Sequence, residues 1–355
     1  VFTPENAAGT VDVTFTFDGS GLKGKTVVVF ESLLWKEKEI AVHADLSDEG
    51  QTIYFPEIGT TAKDTETSSH VSKADGEVTI VDTVSYQNLV PGKEYKASGV
   101  LMDKETGEEL LVDGKNVTAE TVFTPEKSEG TVELTFVFDG SVLEGKTIVA
   151  FETLTYQEKE VATHTDIEDQ EQSIYFPQIH TTAKDGTDGD QEVTESEKVT
   201  LVDTVAYENL ETGKQYKVAG MLMDKTTGKE LLIQDKQVTA ETVFEAKEAK
   251  GTVDVTFIFD GTGLAGKELV VFEKLYLVSE EGKIEVTAHE DLEDQGQTVK
   301  VVEKELPPKP ETPKSDAPKT GDRSQAMVWL IVAGISAASA AGFSLWRRKG
   351  TRKKK

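Results

Sequence analysis

The chain repeats itself at long range. The string VFTPENAAGTVDVTFTFDGS from Val1 returns as VFTPEKSEGTVELTFVFDGS from Val122 and as VFEAKEAKGTVDVTFIFDGT from Val243, an offset of 121 residues each time. VTIVDTVSYQNLVPGKEYKASGVLMDKETG from Val78 recurs from Val199 as VTLVDTVAYENLETGKQYKVAGMLMDKTTG at the same offset. Solenoid repeats run to roughly 20–50 residues, so a period this long encodes a whole domain per copy. Each copy must therefore bury its own core, and the copies follow one another like beads.

Within a copy the signal is that of strands. Short stretches rich in Val, Thr, Ile, Phe and Tyr alternate with polar residues and are cut by Asp-Gly, Pro-Gly and Thr-Gly turns. No segment before residue 320 carries a helical period. The expected fold is all-β, in tandem immunoglobulin-like β-sandwich modules. IGTTA from Ile58 and IHTTA from Ile179 open complete modules at 58–178 and 179–303, while 1–57 matches only the C-terminal half of a module. The chain starts at Val1 without a Met or a signal peptide, which reads as a piece of a longer precursor with adhesive domains upstream.

The end of the chain changes character. Pro-rich sequence at 304–325 predicts a stiff linker. The uncharged run 326–346, at about 1.5 Å per residue, spans a hydrocarbon core of about 30 Å, which predicts a transmembrane helix. Basic residues at 347–355 hold its end on the cytoplasmic side. Ala317-Pro318-Lys319-Thr320-Gly321, an apolar span and a basic tail resemble, in that order, the sorting signal read by sortases of Gram-positive bacteria. The usual motif has Leu where Ala317 stands. The resemblance implies cleavage between Thr320 and Gly321, joining of Thr320 to peptidoglycan, and a location in the cell wall after a single-pass membrane stage.

Composition narrows the function. A formal net charge of -27 argues against nucleic acid as a partner and suits a solvated surface protein. With no cysteine, neither disulfides nor thiolate metal sites can brace the modules.

A set of polar residues recurs with the repeat. His43, His164 and His289 are each followed eight residues later by a glutamine, Gln51, Gln172 and Gln297. Residues two apart on a strand share a face. Parity therefore sets Gln297 with Val299 and Val301, Asp82 with Ile80 and Val84, and Asp203 with Leu201 and Val205. It sets Thr60 with Ile58 and Ala62, and Thr181 with Ile179 and Ala183. Glu31, Glu152 and Glu273 lie in VVVFESL, IVAFETL and LVVFEKL, strands that read as buried on both faces, so parity does not orient them. A carboxylate on an apolar face needs a compensating partner, and two buried together hold at least one proton abnormally tightly. His70 and His180 read as ordinary surface residues.

These residues resemble the VaFE repeats, the Thr-Gln ester-bond domains of Gram-positive adhesins, whose Val-Ala-Phe-Glu stands here at Val149–Glu152. The resemblance implies an ester between Thr60 and Gln172 and another between Thr181 and Gln297, with loss of ammonia. It implies that His164 or His289 moves protons and that Asp82 with Glu152, or Asp203 with Glu273, polarises the amide. Each module reacts once, on itself, so the chain is no turnover enzyme and needs no cofactor. The first copy keeps Glu31, His43 and Gln51 without a Thr or Asp partner.

Other readings of the same residues stay open at this level. His-x-Asp with Asp45, Asp166 or Asp291 suits a metal ligand pair or a solvated loop. The buried polar residues could merely hydrogen-bond within plain sandwiches. A Lys-Asn isopeptide through Asn88 or Asn209 lacks so specific a set, and no serine sits in a nucleophile elbow. The stalk reading, with a host surface or matrix ligand held by upstream domains, stands beside one in which the repeats themselves bind the host ligand without cross-links. Polymerisation into pili has no clear motif. The third copy's longer LYLVSEEGKIEV reads as an extended hairpin.

Overall fold

The computed structural model of the protein describes residues 1–280 and 282–304. The linker after residue 304, the Ala317–Gly321 motif, the run 326–346 and the tail 347–355 lie outside the described residues. Among the described residues no helix is long and apolar enough to cross a membrane. Regular structure there is strand, apart from short turns of 3₁₀ helix at Ser20–Leu22 and Glu49–Gln51.

The second module is a two-layer β-sandwich. One sheet is antiparallel and three-stranded, with Val78–Gln87 between the opening strand Glu57–Asp64 and Gly130–Phe138. The other runs Thr118–Phe123, Tyr95–Asp103, Thr147–Tyr156 and Lys159–His164, with Ser173–Tyr175 also paired to Thr147–Tyr156. Strict alternation drives the layering. In Val78–Gln87 the residues Val78, Ile80, Asp82, Val84 and Tyr86 are buried while their neighbours are not. Ile58, Ala62, Ile80, Leu134 and Phe136 of one sheet meet Ala97, Leu101, Ile148 and Leu154 of the other in one apolar core. Gly99 keeps the layers close, because a Cβ there would come within 2.6 Å of the Phe136 ring.

The third module repeats this plan. Gln178–Asp185, Val199–Glu208 and Gly251–Phe259 form one sheet. Gln215–Asp224 and Glu268–Ser279 lie at the centre of the other, and Thr298–Val302 joins the latter to the parallel edge strand Glu192–Thr194. The hairpin of Glu268–Ser279 with Gly282–His289 is indeed longer than its counterpart Thr147–Tyr156 with Lys159–His164.

The strands around Val149-Ala-Phe-Glu depart from expectation. Ile148, Val149 and Ala150 are buried in succession, but Phe151 and Thr153 are half-exposed while Glu152 and Leu154 are buried. Beyond Ala150, then, the strand alternates and has one inner face rather than two. In the first copy the same strand is solvated: Phe30, Leu33, Leu34 and Trp35 are exposed. That copy consists of the hairpin Glu31–Trp35 with Lys38–His43 and the pair Thr26–Val28 with Thr52–Tyr54. Among the described residues no second sheet of that copy covers this strand.

Candidate cross-linking site

Register brings the polar residues together. On the opening strand Thr60 pairs with Val84, and Ala62 with Asp82, so the Thr60 and Asp82 side chains face the sandwich interior. Across the core, Glu152 stands directly opposite His164 on the adjacent strand. The outer edge of Thr147–Tyr156 changes partner along its length: Ser173–Tyr175 pairs with Thr147, Ile148 and Val149, and Lys159–His164 pairs from Glu152 onward. The intervening loop carries Asp169 and Gln172 over this gap. It is hooked to both sheets, since Ala150 N–H donates to the Gln172 carbonyl at 3.1 Å and Ala62 N–H to that of Glu171 at 2.9 Å. In the third module Val271 N–H donates to Gln297 at 3.1 Å and Ala183 N–H to Gly296 at 2.9 Å.

The side chains converge where the two sheets meet. Thr60 Oγ1 donates to Glu152 Oε2 at 3.1 Å, and Gln172 Nε2 contacts both Thr60 Oγ1 and, at 3.4 Å, Asp82 Oδ1. Thr181 Oγ1 donates to Glu273 Oε2 at 3.2 Å, and Gln297 Nε2 donates to Thr181 Oγ1 and Glu273 Oε2. Asp82, Gln172, Asp203, Glu273 and Gln297 are wholly buried, and Glu152 is 1% exposed.

Burial on this scale fixes the charge state. Asp82 Oδ2, Glu152 Oε1, Glu273 Oε1 and both Asp203 carboxyl oxygens have no hydrogen-bond partner among the described residues. Two adjacent carboxylates have nothing to donate to each other, and leaving them unpaired away from water is costly. A proton shared within each pair removes the deficit. Burial, then the neighbouring Asp82 charge, pushes Glu152 up to about 10, and burial raises Asp82. Glu273 is raised well above the carboxylate range by burial and Asp203, and burial raises Asp203.

Each histidine has a partner that the sequence reading passes over. His164 Nε2 lies 2.7 Å from Asp169 Oδ2, His289 Nε2 2.8 Å from Asp294 Oδ2, and His43 Nε2 2.6 Å from Asp48 Oδ2. Asp45, Asp166 and Asp291 instead accept the backbone N–H two residues on and shape the turn. The signal was present, because an aspartate follows each of the three histidines by five residues. Among the described residues no three His, Asp or Glu side chains cluster to hold a metal ion.

His70 is not an ordinary surface residue, for its side chain is only 13% exposed. Its counterpart in the third module is Gln191, whose Nε2 reaches the carbonyls of Gln295, Gly296 and Thr298 at 2.8, 3.1 and 3.0 Å and so clamps the Gln297 loop. His180 is exposed, with its ring edge-on to His289 at 6.1 Å. In the first copy Glu31 stands opposite His43 as in the others, and His43 keeps its Asp48 partner.

The arrangement holds a hydroxyl against a buried primary amide, beside a carboxyl pair able to take one proton and give another. No curated protein matches the chain. Among solved structures, a bacterial adhesin from Mobiluncus mulieris containing intramolecular disulfide, isopeptide and ester bond cross-links is 16% identical, with 61% of this chain and 80% of that one covered at a TM-score of 0.31. The C-terminal domain of the Streptococcus agalactiae AgI/II polypeptide BspA is 10% identical, with 66% and 98% covered at a TM-score of 0.30. Likenesses this loose carry no argument about the chemistry. The family match is of another kind: residues 1–55, 56–176 and 177–301 each match the T-Q ester bond containing domain, and the chain belongs to that family.

Proposed function

We propose that each complete module closes an ester between its own threonine and glutamine, Thr60 to Gln172 and Thr181 to Gln297, and that the chain is a cell-wall-anchored stalk stiffened by these bonds. The observation that carries this is the cluster of Thr, Gln, Asp and Glu, present twice with the threonine donating to the glutamate and the glutamine amide donating to the threonine each time.

The step balances within the cluster. Thr60 Oγ1 attacks Cδ of Gln172 while its proton passes to the carboxylate of the Asp82–Glu152 pair. The pair's own proton goes to the amide nitrogen as the C–N bond breaks. One ammonia leaves, an Oγ–C bond remains, and the pair ends with the one proton it began with. The imidazole of His164, opposite Glu152 and held by Asp169, stabilises the charge that develops. Thr181, Gln297, Asp203, Glu273 and His289 take the same parts.

The bond joins the first strand of a module to the loop before its last. The bonded residues are 112 positions apart in one module and 116 in the other. By analogy with disulfide loop closure, such a link stabilises by about 5 kcal/mol. Tension along the chain then runs through the ester and bypasses the core. The Ala317–Gly321 motif with the following apolar run and basic tail supports sortase processing at Thr320, attachment to peptidoglycan, and display of upstream adhesive domains toward a host surface.

Stretching single molecules tests the stalk reading. Thr60→Ala is expected to add a release of roughly 400 Å, the extended length of the enclosed segment, that the unaltered chain does not show. The same release from the unaltered chain would refute the load-bearing bond. Thr320→Ala is expected to move the protein from the wall fraction to the membrane fraction; an unchanged distribution would contradict anchoring at that residue.

A further inference from the structure

The two joints between successive modules are made by the same three side-chain bonds. At the first, Asn88 Nδ2 donates to the carbonyls of Lys25 and Phe55 at 2.6 and 3.2 Å, and the Thr26 hydroxyl donates to Asn88 Oδ1 at 2.9 Å. At the second, Asn209 Nδ2 donates to the carbonyls of Lys146 and Phe176, the latter at 3.1 Å, and the Thr147 hydroxyl donates to Asn209 Oδ1 at 2.7 Å. The residues correspond one to one at the repeat offset. Both joints lie within the single unit Val1–Lys304.

Each side of a joint is held in place by its own module. Asn88 and Asn209 have φ of 61° and 59°, left-handed backbone that asparagine tolerates better than most residues with a side chain. The next residues, Leu89 and Leu210, are fully buried and fix where the amide is presented. On the receiving side Phe176 N–H donates to Lys146 O at 2.9 Å, and Gly145 N–H to Phe176 O at 2.9 Å, so both carbonyls belong to closed backbone rungs. Preorganised surfaces lose little freedom on docking. Domains joined by small polar contacts ordinarily move relative to one another, and a repeated three-bond socket opposes that motion.

The third copy provides an internal contrast. Its receiving end keeps the backbone rungs, with Gly266 N–H donating to Val301 O at 2.8 Å and Val301 N–H to Lys267 O at 2.9 Å. Where Thr26 and Thr147 stand in the other copies, however, it has the exposed Glu268. An ionised carboxylate has no hydrogen to donate to an asparagine Oδ1 and sets negative charge against it. The threonine is thus present in both copies that receive a module, and absent from the copy that the Pro-rich sequence follows.

We infer that the Thr-Asn pair is a docking code through which one module of this kind receives the next in a fixed orientation, and that Glu268 makes the third copy unable to receive another. The second joint is reinforced. Thr287 Oγ1 donates to Glu144 Oε1 at 2.8 Å, Lys73 Nζ pairs with Glu285 Oε1 at 2.8 Å, and Val71 is buried in the apolar core of the third module. None of this depends on the ester.

The absence of cysteine from the chain makes the test clean. Glu126→Cys and Glu248→Cys, at exposed positions of the second and third modules, take spin labels in the full chain, and double electron–electron resonance reads the distance between them. A single narrow distribution is expected. Asn209→Ala and Thr147→Glu are each expected to broaden it, while Asn88→Ala and Glu268→Thr leave it narrow. The two disruptive changes lie in different modules, so a folding defect in one does not mask the other. A broad distribution in the unaltered joint, or a narrow one that survives both changes, overturns the inference.

Discussion

The hydroxyl of Thr60 donates to Oε2 of Glu152 at 3.1 Å across the interface of the two sheets, and Thr181 stands to Glu273 in the same way at 3.2 Å. In the proposed chemistry this aims the nucleophile at the carboxyl pair that takes its proton, before any bond forms. Sheet register sets this aim, because Glu152 is locked opposite His164 and Thr60 opposite Val84.

The carboxyl pair is therefore expected to control the rate. Glu152→Gln keeps the size but leaves a single carboxyl that cannot both take the threonine proton and hold one for the amide nitrogen, and ester formation in the second module is expected to slow roughly 100-fold or more. Glu160→Gln, on the same hairpin but exposed, is expected to change nothing. Time-resolved mass measurement on freshly refolded protein checks both. Equal rates would remove Glu152 from the chemistry.

A pH dependence follows for protein whose esters cannot form. Folding pushes Glu152 up to about 10 from its ordinary 4.5, chiefly through burial. Between those values the folded chain keeps a proton that the unfolded chain has released, so stability falls as pH rises through the window. The limiting slope is about 1.4 kcal/mol per pH unit per module. For Thr60→Ala with Thr181→Ala, the denaturation midpoint is expected to fall from about pH 5 to about pH 9, and Glu152→Gln with Glu273→Gln to flatten the trend. A midpoint that rises with pH would contradict the shared proton.

The His-Asp pairs give a smaller effect. Asp169→Asn leaves His164 without the carboxylate 2.7 Å from its Nε2, and is expected to slow ester formation about tenfold to a hundredfold. Asp166→Asn, which loosens only a turn, is expected to leave the rate unchanged. An equal effect from the two would reduce Asp169 to a loop residue.

Much of this was legible in the sequence because the repeat lets each residue be checked against a copy. Alternation alone sets Asp82, Asp203 and Gln297 among Val, Ile and Leu, and all three are wholly buried. Alternation could not orient Glu152, because its strand is buried on both faces up to Ala150 and on one face beyond. Asp169 and Asp294 escaped because loop residues have no parity; only their constant spacing from the histidines marked them. In sequence Asn88 and Asn209 suggest at most isopeptide partners, since nothing local shows that their amides reach carbonyls of the preceding module. His70 reads as polar surface until the fold covers it.

The most direct test of the central claim is the intact mass of the full chain, measured beside Thr60→Ala, Thr181→Ala and the double variant. The account predicts a deficit of two ammonias relative to the mass expected from the sequence, one restored by each single substitution and both by the double. A full mass in the unaltered chain, or a deficit that survives the double substitution, would contradict it.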